Sequence, residues 1–213
     1  MIQRIVVASG NRHKVKELAA MLAGAPTAVE VVGLDRYPEA PEIDETATTF
    51  EGNAGLKARG IADYLAGRGE PGDTAVLADD SGVCVEALDG APGVYSARFS
   101  GEGATDETNN AKLVQSLEAL GLRGSPAYYA CVLALCRVDG APLGGSAMAT
   151  FEGRWHVEVR TERRGVGGFG YDPHAWVDDG AQTVAELTAD AKAQRSHRGA
   201  ALRALLASWP FGT

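Results

Sequence analysis

The chain has 213 residues, 45% of them hydrophobic and 23% charged, enough for a substantial core. A formal net charge of -8 excludes a general nucleic-acid-binding surface, whose affinity comes from Lys and Arg neutralising phosphates, but leaves room for one small anionic ligand. No apolar run approaches the ~18 residues of a membrane span, and the run Ile5 to Ala8 is too short for a signal peptide, so a cytoplasmic protein without membrane contact is expected.

In chain order, Ile2 to Ala8 is predicted as a buried strand. A helix follows, carrying Val15, Leu18, Ala19 and Leu22 on one face until Gly24 and Pro26 stop it. Between them lies Ser9-Gly10-Asn11-Arg12-His13-Lys14. A P-loop would need a second glycine directly before its lysine, where this chain has His13. Two readings fit: the helix N-terminus and Lys14 hold a phosphate, or Asn11 merely caps the helix and Lys14 is solvated.

A short strand, Val29 to Val32, precedes the acidic loop RYPEAPEIDET. From Thr49 the helical period returns, with Phe50, Ala54, Ile61 and Leu65 on one face and Asn53 and Lys57 one turn apart beside it. The strand Thr74 to Ala78 is expected to stop in a turn at Asp79-Asp80-Ser81-Gly82, with a second strand from Val83 to Leu88. A loop, a helix from Thr105 to Leu120, three β-rich runs (AYYACVLALCRV, GSAMATFEG, RWHVEV), a strand Ala175 to Val177 and a last helix Ser196 to Ser208 complete the pattern. Helical crossovers followed by a meander imply an α/β protein with a mixed sheet, in one domain spanning residues 1–213. Cys84, Cys131 and Cys136 lie in apolar runs without C-x-x-C spacing and are expected as buried, reduced thiols.

Four groups of residues could carry chemistry. Adjacent carboxylates at Asp79 and Asp80 repel unless a cation is near, and a strand end is where α/β sheets place functional side chains. Asp44 and Glu45 precede a helix, where acidic residues are favourable in any case. Mg²⁺ takes one or two such carboxylates beside substrate phosphates. Lys57 is either a snorkelling lysine or a phosphate charge turned toward Glu45 and Asp80. In GVGGFGYDPH, Phe169 and Tyr171 either offer a stacking platform for a base or fold back on the core. His197 and Arg198 place cations at the unfavourable end of the last helix, which a facing acceptor or carboxylate would explain.

Together, SGNRHKVKEL, DETATTFEGNAGLKA, LADDSGVCVEALDGAPGVYSARFSG, GGFGYDP and AELT…K…SHRGAAL resemble the inosine triphosphate pyrophosphatase family in sequence and order, over nearly the whole chain. The resemblance implies an elongated mixed β-sheet flanked by helices, two lobes enclosing a nucleotide-binding cleft, and a homodimer. It implies Mg²⁺-dependent hydrolysis of ITP, dITP and XTP to the monophosphate and pyrophosphate. Asp80 would be catalytic and, with Glu45, hold the metal. Ser9, Gly10, Asn11, Arg12, His13, Lys14, Lys57 and Ser81 would bind phosphate. Phe169 would stack on the base, with Gly170, Tyr171, Asp172, Lys192, His197 and Arg198 around it and Arg198 reading the 6-oxo group by its fixed donors. Ser9 stands where the family usually has Thr, Asp44-Glu45 where many members have two glutamates, and His174-Ala175 where hydrophobic residues are usual. A pyrophosphatase for modified pyrimidines and a non-catalytic nucleotide sensor are the competing readings. Phe169 to Asp172 with Ser196 to Arg198 favours a purine, and the acidic pair favours an enzyme.

Overall fold

The computed structural model describes residues 2–25 and 28–209. Pro26, assigned to the end of the first helix, lies outside the described residues. Strand β1 (Arg4–Val7) leads into helix α1 (Arg12–Leu22), followed by β2 (Glu30–Gly33), α2 (Phe50–Gly67), β3 (Thr74–Val85) and α3 (Asp106–Ala119). The long strands β4 (Gly124–Arg137) and β5 (Ala149–Arg160) come next. Then follow β6 (Ala175–Val177), β7 (Gln182–Thr183), α4 (Ala189–Arg195) and α5 (His197–Ala207). The strands form one sheet of seven in the order β2-β1-β3-β4-β5-β6-β7. It is mixed: β1 runs parallel to β2 and β3, with Ile5 opposite Val31 and Ala75, whereas β5, β6 and β7 pair antiparallel. Among the described residues no helix is long and apolar enough to cross a membrane.

The helix boundaries follow local chemistry. Thr49 caps α2 by accepting from the Gly52 amide, and Thr105 caps α3 in a reciprocal pair with Thr108, so the first orphan amides of both helices are satisfied. The strands depart from the expectation in two places. No turn interrupts Asp79-Asp80-Ser81-Gly82, since β3 runs on for 12 residues. The turn propensity of that stretch is overruled because ion pairs neutralise its carboxylates, described below, and because Gly82 has no side chain. A Cβ there would collide with the Gly93 carbonyl and the Ser96 side chain, whose Oγ accepts from the Val83 amide at 3.0 Å. Likewise GSAMATFEG and RWHVEV are not separate runs, because β5 continues through Gly153. Helix α4 and strand β7 lie outside any predicted element; both are too short for a period to show.

The chain divides into two compact units. The first comprises Met1–Asp80, Cys131–Gly153 and Arg198–Thr213; the second comprises Ser81–Ala130 and Arg154–His197. In the first, alternate residues of the strands serve two cores. Ile5, Val7, Ala75, Leu77, Cys131, Leu133 and Leu135 pack with Leu18 and Leu22 of α1 and Leu202 and Leu205 of α5. Val6, Val76, Ala78, Val132 and Ala134 pack with Ala54, Ala58, Ile61 and Leu65 of α2. A strand buried on both faces must be apolar at successive positions, which is why CVLAL reads as an unbroken run. The second unit has its own core, in which Val83, Val85, Val157, Val159 and Val177 meet Leu113 and Leu117 of α3. Each such buried aliphatic side chain contributes about 1.5–3 kcal/mol. All three cysteines are buried and unpaired with one another.

Candidate active site

Because β3 is continuous and pleated, Asp79 and Asp80 point to opposite faces. Asp80 follows the face of α2. There Lys57 Nζ lies 2.5 Å from Glu45 Oε1 and 3.4 Å from Asp80 Oδ1. One ammonium thus joins the acidic loop to the strand. The loop is held by Asn53, one turn before Lys57, whose Oδ1 accepts from the Ala47 amide at 2.9 Å. Glu45 is half-buried and Asp44 exposed, so Glu45 is the carboxylate turned inward. Burial would lower the Lys57 pKa, but Asp80 and Glu45 reverse this and raise it. Asp80 shifts upward: burial is the largest cause and Glu45 adds to it, against the opposing field of Lys57. Its Oδ2 is buried without a hydrogen-bond partner, and the Asn53 amide nitrogen nearby also closes no well-formed bond.

Asp79 sits on the other face, 1% exposed, and holds a separate cluster. Lys14 Nζ lies 2.6 Å from its Oδ1; Arg198 Nε lies 2.9 Å and Cys131 Sγ 3.1 Å from its Oδ2. Burial would push this carboxyl up, but Arg198 and Lys14 together hold it well below the usual carboxylate range. A second nitrogen of Arg198 pairs with Glu17 Oε2 at 2.5 Å, and the side chain is 1% exposed. The cation at the start of α5 is therefore matched by carboxylates from β3 and α1. The Arg198 guanidinium is buried against Asp79 and Glu17 and belongs to the first unit, whereas His197 belongs to the second.

The turn Ser9-Gly10-Asn11 is tightly self-bonded. Asn11 caps α1, its Oδ1 accepting from the amides of His13 at 2.9 Å and Lys14 at 3.3 Å, and Ser9 Oγ accepts from the Asn11 amide at 3.2 Å. Gly10, Asn11, Arg12 and His13 are exposed, while Ser9 and Lys14 are half-buried. The capping reading of Asn11 is thus the geometry seen, and Lys14 is paired rather than solvated.

In the second unit the residues around Phe169 form another network. Asp172, 4% exposed, accepts at Oδ2 from the Phe169 amide (2.9 Å) and from Lys192 Nζ (2.7 Å). The same ammonium lies 4.3 Å from the Phe169 ring centroid, a cation–π contact. Gly168 has φ 72°, and a Cβ there would enter the Asp172 carboxylate. Helix α3 grips the next peptide from both sides: Asp106 Oδ2 accepts from the Gly170 amide at 2.7 Å, and Asn110 Nδ2 donates to the Gly170 carbonyl at 2.9 Å. The two aromatics part company. Phe169 stays half-exposed, but Tyr171 is buried in the core with its hydroxyl donating to Ser96 O at 2.8 Å, so its side chain serves packing. His174, also buried, bonds through Nδ1 to the Arg160 carbonyl at 2.9 Å, which lets a histidine occupy a position suited to a hydrophobic residue. Ser81, the first residue of this unit, is half-buried on β3.

Among the described residues no three His, Cys, Asp or Glu side chains converge as a metal cage. A hard divalent cation that keeps its waters and borrows phosphate oxygens needs only one or two carboxylates. Glu45 and Asp80 fit that need: both are oxygen donors, they already share a cation in Lys57, and Asp80 Oδ2 is a buried acceptor without a well-formed hydrogen bond.

Asp79, Asn53 and Tyr129, to which the sequence assigned no role of their own, are central to these networks. Asp79 and Asn53 were singled out by adjacency to Asp80 and helical spacing from Lys57. Tyr129 had no such signal, since it sits in an apolar run.

Comparison with known proteins agrees with this architecture. The sequence pattern of the Ham1 family matches residues 5–208. A dITP/XTP pyrophosphatase of Geobacter sulfurreducens is 45% identical, covering 95% of this chain and 94% of its own. One from Chromobacterium violaceum is 46% identical, with 97% of each covered. Among solved structures, a HAM1 protein from Coxiella burnetii superposes with a TM-score of 0.82 at 36% identity, covering 98% of both chains. A nucleoside-triphosphatase / dITP/XTP pyrophosphatase from Mycobacterium abscessus gives 0.68 at 40% identity, covering 96% and 99%. With the match extending over nearly its whole length, the chain belongs to the Ham1 family.

Proposed function

We propose that this protein is a nucleoside triphosphate pyrophosphatase that hydrolyses ITP, dITP and XTP to the monophosphate and pyrophosphate, with Mg²⁺, clearing deaminated purines from the nucleotide pool. The observation that carries the reading is Asp80: buried, shifted toward protonation, and presenting an unpartnered oxygen beside Lys57 and Glu45. A single cytoplasmic domain working as a homodimer is part of the same proposal, as is the absence of nucleic-acid and membrane partners, in keeping with the net charge of -8.

When bound, Mg²⁺ supplies Lewis-acid polarisation of phosphoryl oxygens. Glu45 and Asp80 are the residues that would hold it. Asp80 would reach the metal through the water that attacks the α-phosphorus, leaving direct contact to Glu45, so that its carboxylate can take that water's proton. Lys57 balances the charge of the carboxylates and of the departing pyrophosphate. Lys14, held at Asp79, and the exposed turn from Ser9 to His13 orient the polyphosphate. Ser81 adds a hydroxyl.

Phe169 supplies a stacking face for the base, on a loop shaped by Gly170, Tyr171 and Asp172. Arg198, with Lys192 and His197 beside it, presents donors to the 6-oxo group, whereas the 6-amino group of adenine would leave those donors unpaired. Buried donors left unpaired by the wrong substrate can discriminate by ~10⁴. The dITP/XTP names of the relatives support this choice of substrate.

A panel of nucleoside triphosphates with Mg²⁺, scored for pyrophosphate against phosphate release, tests the reading in wild type and Asp80→Asn. Pyrophosphate from ITP, dITP and XTP far above that from ATP is expected. Loss of general-base function should lower turnover in Asp80→Asn by about 10²–10⁴-fold with the fold intact. Equal hydrolysis of ATP and ITP, or near-normal turnover in the variant, would refute it.

A further inference from the structure

The residue that ties the base-side network together is Tyr129, on β4. It is 6% exposed, and its surroundings are not those of an ordinary core tyrosine. Its ring stacks on the imidazole of His197, with centroids 4.9 Å apart and planes 11° from parallel. Its hydroxyl lies 3.3 Å from Asp172 Oδ1, the oxygen opposite the one that takes Lys192 and the Phe169 amide. On its flank Trp155 lies 6.4 Å away, centroid to centroid, fixing the ring from a second direction.

A carboxylate bonded at only one oxygen can rotate about its terminal torsion; one bonded at both cannot without breaking something. The Tyr129 hydroxyl therefore fixes the plane of Asp172, and through it the Lys192 ammonium and the Phe169 peptide. A flat imidazole held by a parallel ring likewise loses the freedom to turn its nitrogens. We propose that Tyr129 is a positioning residue for base selectivity, holding His197 by stacking and Lys192 by way of Asp172 so that both meet the base at fixed angles. The phenol is well placed to donate at any working pH, because burial and the neighbouring Asp172 push its ionisation far above the ordinary value of 10.0.

This inference rests on the proposed reading of Lys192 and His197 as base contacts, and the test separates the two. Steady-state hydrolysis of ITP and ATP is measured for wild type, Tyr129→Phe and Tyr129→Leu, alongside thermal unfolding. Tyr129→Phe keeps the ring and deletes one hydrogen bond, so KM for ITP should rise about 2- to 10-fold with kcat within a factor of two. The ratio of ITP to ATP efficiency should fall by the same factor, with little change in Tm. Tyr129→Leu removes the stack as well and should narrow the ratio further; Tyr129→Phe alone decides if the leucine variant fails to fold. Unchanged selectivity in Tyr129→Phe, or an equal loss for both substrates, overturns the inference while leaving the activity proposal standing. Wild-type enzyme that does not distinguish ITP from ATP overturns the activity proposal and this inference with it.

Discussion

Around Asp79 and Asp80 the working groups stand on a strand and on helices α1, α2 and α5, and charge holds them in place. Around Phe169 they stand on a turn, and hydrogen bonds to the peptide hold them. The difference follows from what each region must fix. Ammonium and guanidinium groups on long side chains are ordered by carboxylates buried deeply enough to make the attraction strong, as Asp79 orders Lys14 and Arg198. A glycine-rich turn has no such stiffness, so its peptides are clamped one by one: Phe169 by Asp172, Gly170 by Asp106 and Asn110. One side should therefore fail through uncompensated charge, and the other through loosened geometry.

The largest expected effect breaks the charged side. Arg198→Ala takes the guanidinium away from a buried Asp79, and removing one member of a buried pair costs about 3–5 kcal/mol. Urea unfolding should show that loss, and the ratio of ITP to ATP efficiency should narrow as well if the folded fraction is compared. Adding Asp79→Asn should recover part of the stability, since the stranded charge is gone. An equal fall for both substrates would make Arg198 a structural or phosphate residue instead.

A smaller effect is expected on the turn. Asp106→Ala deletes a charge-assisted bond to the Gly170 amide, typically about 1.5–3 kcal/mol and less at this exposed position. KM for ITP should rise about tenfold with kcat preserved. Asp106→Asn, which keeps an acceptor, should recover most of it. A fall in kcat at constant KM would mean that the turn belongs to the chemical step.

The smallest effect concerns pH. Burial is the main cause that depresses the His174 pKa below its ordinary 6.5, with Arg163 adding to it and the Arg160 carbonyl opposing. The unfolded chain therefore takes up a proton there more readily than the native one. The stabilisation is complete above the unfolded value and is lost as pH falls through it toward the folded one. Between pH 7 and 5 the Tm of wild type should drop more than that of His174→Leu. Parallel curves would mean that His174 is not held neutral by the fold.

Much of this was legible from local pattern. The strand-turn-helix unit β1-α1, the helices α2 and α3, and the burial of the cysteine-bearing runs follow from period and composition over a few residues. The pairing of Lys57 with Glu45 and Asp80 was one of two open readings. The course of β3 was not legible: Asp-Asp-Ser-Gly has the composition of a turn, and partners 65 residues before and 119 residues after Asp79, Lys14 and Arg198, hold it as a strand. Nor could composition separate Phe169 from Tyr171, two aromatics in one turn, of which one remains at the surface and the other closes the core.

The sequence by itself determined most element types, the family and the stock of charged and aromatic residues, because periodicity and motif order are properties of neighbouring positions. Tertiary structure alone decided that Glu45 rather than Asp44 turns inward, that Arg198 pairs with Asp79, and that Tyr129 braces Asp172 and His197. Each of those choices depends on which distant side chain fills a given space. The free energy of a buried charge or a stacked ring is set by that partner, not by the residues beside it in the chain.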